Sequence, residues 1–205
     1  WLGTDYGISL SRYNSALQFI PISQITGTGD GNQFYSLFRD SKGFYWFGGA
    51  NGLIRFTDPA GERHDAIWYR MGDKTYPLSH NRIRHIYEDK EQQLWIATDG
   101  SINRYDYATR QFIHYNIVDN TGTYNTNWTY YIFEDTAGQL WISTCLGGIF
   151  VVDKRKLMQS TSGQYIAEQN YSVHNGLSGM FINQIIPDNE GNVWVLLYNN
   201  KGIDK

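Results

Sequence analysis

Residues 83–98 read Ile83-Arg84-His85-Ile86-Tyr87-Glu88-Asp89-Lys90-Glu91-Gln92-Gln93-Leu94-Trp95-Ile96-Ala97-Thr98, and this stretch sets the pattern for the whole chain. Asp89 is followed six positions later by Trp95. The same interval separates Asp40 from Trp46, Asp135 from Trp141 and Asp188 from Trp194, while Trp1 opens the chain in mid-pattern. Successive tryptophans stand 45 to 53 residues apart. A unit of that length, repeated, is one supersecondary element that can bury its apolar face only against its neighbours.

Each unit reads as four strands. Before each Asp lies an extended run, Phe34–Arg39, Ile83–Glu88, Thr129–Glu134 or Ile182–Pro187. Each run has an aliphatic residue three before the Asp (Leu37, Ile86, Ile132, Ile185) and a bulky one two before it (Phe38, Tyr87, Phe133, Ile186). Apolar residues at adjacent positions mean that both faces of the strand are covered, as when one sheet is sandwiched between two others. A polar turn such as Asp40-Ser41-Lys42-Gly43 leads to a second strand around each Trp. A third strand follows at 8–13, 53–56, 102–105 and 149–152, and a less regular fourth at 19–22, 66–69, 112–115 and 171–174. The expected fold is all-β, a β-propeller of four-stranded antiparallel blades. A sandwich fits poorly, because sandwich strands carry no such unit-to-unit identity. Residues 154–169 are expected to form a loop insertion, since Ser160 to Gly163 interrupts the nearest approach to a helical period. The units fall at about 1–31, 32–79, 80–126, 127–178 and 179–205 of one domain, 1–205. That is a partial ring: three complete blades with partial blades at both ends.

Composition narrows the function classes. With 41% hydrophobic and 18% charged residues the 205-residue chain can bury a core, and no apolar run approaches the roughly 20 residues of a membrane span. The net charge of −3 comes with no block of Lys or Arg, so nucleic acid and direct membrane contact are not expected partners. A single cysteine, Cys145, excludes an intramolecular disulfide without fixing a compartment. No cofactor is implied.

Runs such as Ile83 to Asp89 with Leu94-Trp95-Ile96-Ala97-Thr98, Leu78-Ser79-His80-Asn81-Arg82-Ile83, Leu140-Trp141-Ile142-Ser143-Thr144 and Asn175-Gly176-Leu177-Ser178 resemble the two-component regulator propeller repeat. The resemblance spans nearly the whole chain. It implies the periplasmic sensor half of a Bacteroides-type hybrid two-component system, a family in which such propellers detect fragments of complex glycans. In that family two large propellers precede an immunoglobulin-like domain, a membrane helix and cytoplasmic kinase, receiver and DNA-binding modules. By the same resemblance the segment is not itself an enzyme, and a ring of seven or so blades makes these residues a piece of a larger propeller. The ends of such an arc would leave apolar sheet faces uncovered, so the remainder of the propeller or a second copy is an expected partner.

The repeated residues are scaffold, and function is expected where the repeats disagree, on loops held by the scaffold. The loops entering the innermost strand and those joining the second and third strands share one face of a propeller. Eight residues before the Asp stand Asn32, Asn81, Asn127 and Met180, and one further on Gln33, Arg82, Trp128 and Phe181. An amide, a guanidinium, an indole and a phenyl ring around one rim suit an oligosaccharide: flat rings stack on pyranose C–H faces, and Arg, Asn and Gln reach hydroxyls. Asp5, Tyr6 and Asp99, on the turn after the second strand, complete the candidate set with Gln33, Asn81, Arg82, Asn127, Trp128 and Phe181. A glycosidase or lyase would need two convergent carboxylates, and only Asp5 and Asp99 occupy that kind of loop. His64, His80, His85, His114 and His174 show no metal-ligand spacing. A structural propeller that serves as a spacer is the third class.

Overall fold

The structure, a computed structural model, describes residues 33–57, 66–75, 77–161, 163–198 and 202–205, preceded by the backbone strands Leu2–Gly3, Gly7–Leu10 and Gln18–Pro21. Five antiparallel sheets follow one another along the chain. The second blade comprises Phe34–Arg39, Tyr45–Gly49, Gly52–Phe56 and Ile67–Tyr69. The third comprises Ile83–Glu88, Leu94–Thr98, Ser101–Asp106 and Gln111–Tyr115. The fourth comprises Thr129–Glu134, Gln139–Thr144, Ile149–Asp153 and Gln169–Tyr171. Three-stranded sheets stand at either end, the last from Ile182–Pro187, Val193–Leu197 and Ile203–Asp204. Strands pair in sequence order within every sheet, which is the meander of a propeller blade. All four runs expected before an Asp are strands with the expected bounds.

The repeated Asp and Trp form a hydrogen bond. The indole Nε1 donates to Oδ2 of the Asp six residues earlier in all four copies, at 2.7 Å (Trp46), 2.9 Å (Trp95), 2.9 Å (Trp141) and 2.8 Å (Trp194). The other oxygen, Oδ1, takes the amide four residues on, from Phe44, Gln93, Gln139 or Asn192. One carboxylate therefore closes the turn and fixes the indole on the strand beyond it. Each tryptophan stands on the sheet face that meets the following blade. Trp46 packs with Ile83, Ile86, Leu94 and Ile96, Trp95 with Ile132, Leu140 and Ile142, and Trp141 with Ile185 and Val195. Trp46 and Trp95 are fully buried, Trp141 is half-buried, and Trp194 is 41% exposed because no described residue forms a blade beyond it. Burying the 150–250 Å² of an indole contributes roughly 4–6 kcal/mol at 25 cal/mol per Å².

Polar bonds tie the same joints. Glu88 accepts the amide and hydroxyl of Ser41 from the blade before, and Glu134 accepts the amide of Lys90 in the same way. Tyr107 OH donates to Asp40 Oδ2 at 2.7 Å. Gly48 lies where Ile83 of the next blade presses closest: a Cβ there would stand 2.4 Å from Ile83 Cγ2.

Residues 154–169 depart from the expected loop insertion. Lys154–Gln159 is a six-residue helix, N-capped by the Asp153 side chain on the amides of Arg155 and Lys156. The helix forms because its first residue is anchored: the buried Lys154 Nζ lies 2.7 Å from Glu134 Oε1 and 3.0 Å from Asp89 Oδ2. Burial works against the ammonium, and the bonds to Glu134 and Asp89 overcome it, raising the pKa. The chain then returns as Tyr165–Ile166, which pairs in parallel with Ile117–Val118. The fourth blade's outer strand, expected at 171–174, ends at Tyr171. Beyond it the Ser172 amide donates to Asn175 Oδ1 at 2.6 Å, and that turn takes Val173 and His174 out of the sheet.

Asp89→Ala would leave the Lys154 ammonium buried with one of its close partners gone. It should destabilise the fold by about 3–5 kcal/mol in urea unfolding. Asp188→Ala, on the exposed last blade, should cost far less. Equal losses at the two sites would contradict the joint described here.

Candidate functional site

The rim is built by one backbone bond made four times. The amides of Ala50, Asp99, Cys145 and Tyr198, each just after a second strand, donate to the carbonyls of Gln33, Arg82, Trp128 and Phe181, each just before an innermost strand, at 2.9, 3.2, 3.0 and 2.9 Å. The two loop sets therefore lie on one face, as the repeat predicts, and the four variable residues occupy equivalent places. All four are exposed.

At the third blade the rim is charged. Asp99 lies 2.8 Å (Oδ1) from Arg84 Nε and 3.2 Å (Oδ2) from Arg84 Nη2, with Arg82 Nη1 3.7 Å from Oδ2. The Arg82 side chain is 47% exposed, whereas that of Asp99 is 8%. Asp99 is thus committed to two guanidinium groups and is not free as a catalytic acid. Arg82 keeps donors facing outward. The next rim residue, Trp128, is 48% exposed with φ of +54°, a left-handed backbone that a bulky side chain rarely adopts. Its amide is held by Asp99 O at 3.0 Å and its carbonyl by the Cys145 amide, so the strain is fixed from both sides and the indole projects into solvent. Phe181, Tyr198, Tyr130, Ile182 and Cys145 enclose a 220 Å³ cavity beside it. Burial pushes the Cys145 thiol pKa up, which disfavours the reactive thiolate.

The remaining expected residues fall into place unequally. Gln33 Oε1 accepts the Tyr35 hydroxyl at 2.9 Å. Asn81 is a turn residue, its Oδ1 taken by the Met71 amide at 2.7 Å. Asn127 is exposed next to Trp128. Asp5 and Tyr6 lie outside the described residues, as does Trp1. Among the described residues no group of three or more His, Cys, Asp or Glu is placed to hold a metal ion.

Sequence reading missed a second row beneath the rim. Each innermost strand carries a bulge at one place, skipping Tyr35, Arg84, Tyr130 and Asn183 in the pairing with the second strand. A bulge re-aims its side chain, and here the four converge on a 320 Å³ cavity shared with His85, Tyr131 and Gln184. The Arg84 guanidinium lies over the rings of Tyr130 (4.5 Å) and Tyr35 (5.9 Å). The sequence signal was present: the position five before the Asp changes chemistry almost as freely as the rim position does.

The pattern of the family described as two component regulator propeller matches residues 28–51 and 77–100. These two segments are two-component regulator propeller repeats. Two solved structures of the extracellular domain of BT4673 from B. thetaiotaomicron, assigned in one case to the one-component and in the other to the hybrid two-component systems, are 98% and 99% identical to the chain. Both have a TM-score of 0.89, and each match covers 100% of this chain and 27% of that one. The chain thus spans about a quarter of the structures it matches, both of which are extracellular domains. The extracellular domain of BT3049, a second B. thetaiotaomicron protein assigned to the hybrid two-component systems, shares the fold at 23% identity and a TM-score of 0.64, over 91% of this chain and 26% of that one. Virginiamycin B lyase from Staphylococcus aureus shares it at 17% identity and 0.63, over 94% and 56%. No curated protein matches the chain. Among the described residues no helix is long and apolar enough to cross a membrane.

His85 in the axial cavity gives the propeller a pH dependence. Its Nδ1 accepts the Ile132 amide of the next blade at 3.2 Å and its ring stacks 4.0 Å from Tyr131. Burial lowers its pKa from 6.5 to about 4. The unfolded chain then binds a proton that the folded chain refuses, so stability is full above about pH 6.5 and falls as pH drops towards 4, by roughly 2–3 kcal/mol. In paired thermal melts, His85→Gln should flatten that part of the profile; an unchanged slope would remove His85 as its source.

Proposed function

We propose that this segment is the ligand-sensing part of an extracellular propeller domain, that it binds a glycan-derived oligosaccharide on the rim, and that the bound state is relayed across the membrane to a cytoplasmic histidine kinase. The observation that carries the reading is the rim itself. Four equivalent backbone sites, pinned by the same hydrogen bond, present an amide, a guanidinium, an indole and a phenyl ring. Identical scaffolding with divergent side chains is the arrangement expected of a recognition surface. Exposed rings beside exposed donors match a pyranose, with C–H bonds on its faces and hydroxyls at its edge. The commitment of Asp99 to Arg82 and Arg84 argues against glycoside hydrolysis, which needs a second free carboxyl group. Relay requires that the ligand favour one arrangement of the domain over another, by a coupling free energy of about 1–3 kcal/mol in typical cases.

A second role, in assembly, rests on the face around Trp194. Ile186, Trp194 and Leu196 stand exposed where Trp46 and Trp95 are covered by a following blade. Another propeller sheet, from the rest of the domain or from a second copy, is the complementary partner.

Calorimetric titration of the extracellular domain with a panel of oligosaccharides tests the site. Arg82→Ala and Trp128→Ala should each weaken binding about tenfold, the loss typical of an anchoring residue, with little change in melting temperature. Unchanged affinity in both variants would remove the rim as the site.

A further inference from the structure

The repeat pattern is broken on the outer flank of the fourth blade, and there the surface opens into a cavity of 580 Å³. One wall is the 119–125 connection that precedes the fourth blade, and the other is the strand Gln169–Tyr171 with the turn after it. Both walls are fixed by hydrogen bonds. Asp119 accepts from the Thr121 amide and hydroxyl and from the Tyr124 amide, while the parallel strands below are closed by Tyr165 N to Asn116 O (2.8 Å) and Ala167 N to Val118 O (2.9 Å). A second cavity of 310 Å³ adjoins it, lined by Asn127, Trp128 and Leu146. Thr123 and Tyr124 line both. The two make one groove from the rim indole across Tyr124 to His174. Each lies within the roughly 300–1,000 Å³ of small-ligand sites.

Among the described residues, neutral hydrogen-bonding groups line this groove, among them the Asn120 amide, the Tyr124 hydroxyl, the Asn127 amide and the His174 imidazole. The carboxylates at its edge, Asp119 and Glu168, are held by their own loop or by Tyr165 and Lys156, and among the described residues no Lys or Arg lines either cavity. A ligand with an anionic group would meet two carboxylates and, among the described lining residues, no Lys or Arg. A chain of hydroxyl-bearing rings would meet an indole, a phenol, an amide and an imidazole in succession.

Resting on the oligosaccharide reading of the rim, we infer that the ligand is an uncharged oligosaccharide lying along this groove, its first residue on Trp128 and its later residues between Asn120 and His174. The flank then measures chain length, and Trp128 holds the end common to long and short chains.

The test uses the complete extracellular domain and ladders of neutral gluco-, manno- and xylo-oligosaccharides from one to six units, with an oligogalacturonate ladder as the charged counterpart. In the ladder that binds, affinity should rise at least tenfold between the disaccharide and the tetrasaccharide, and the charged ladder should bind more weakly at every length. Asn120→Ala with His174→Ala should erase the gain with length and leave disaccharide affinity unchanged, whereas Trp128→Ala should weaken every member. Tyr124→Phe, which keeps the packed ring, should reproduce part of the loss and guards against a folding artefact. Binding that depends on Trp128 but not on length or on the flank pair would overturn the groove and keep the rim; tighter binding of the charged ladder would overturn the uncharged ligand. Absence of binding in all ladders would overturn both.

Discussion

The bond from each tryptophan indole to the carboxylate six residues before it is the constraint on which the other features depend. A strand alone does not fix which face its large residue takes, since a slip of one in register turns every side chain over. Here the Asp closes the turn with one oxygen and receives the indole with the other, so turn, register and facing are set together. Burying the carboxylate would be unfavourable were its oxygens not filled by N–H donors. Neighbouring blades complete the filling, with Tyr107 at Asp40 and Lys154 at Asp89. The repeating structural element is therefore the joint between blades as much as the blade.

A rigid joint frees the face above it. Because Gln33, Arg82, Trp128 and Phe181 are held through their carbonyls, the backbone fixes the loops and the side chains can differ without disturbing the fold. The bulged residues one layer down obey the same logic. Tyr35, Arg84, Tyr130 and Asn183 are released from ladder positions and turned to the axis, where Arg84 uses Asp99 and two tyrosine rings to stay ordered. Trp128 is the exception among rim residues, its backbone held left-handed so that the indole stands clear of the surface.

Where the repeat fails, it fails for identifiable reasons. The 154–159 helix exists because a buried ammonium between Asp89 and Glu134 anchors its first residue and Asp153 caps it, neither of which follows from a 3.6-residue apolar period. The same excursion brings Tyr165–Ile166 beside Ile117–Val118 in a parallel pair foreign to the blade pattern, and the flank cavity opens next to it.

By itself the sequence determined the blade. The innermost strands are legible to the residue because adjacent apolar positions, the Asp that ends them and the turn that follows are all local, and the burial of Trp46 and Trp95 follows from the period. The rim positions were legible too, as the places where aligned units differ. Tertiary structure alone decided that Asp99 belongs to Arg84, that Tyr35, Arg84, Tyr130 and Asn183 meet at the axis, that His85 serves Ile132 of the next blade, and that His174 leaves its sheet to face a cleft. These depend on residues brought together from different strands or blades, or on a turn that reverses one strand end. Local patterning encodes which face of a strand is apolar, but not which distant side chain will arrive to satisfy a given polar atom.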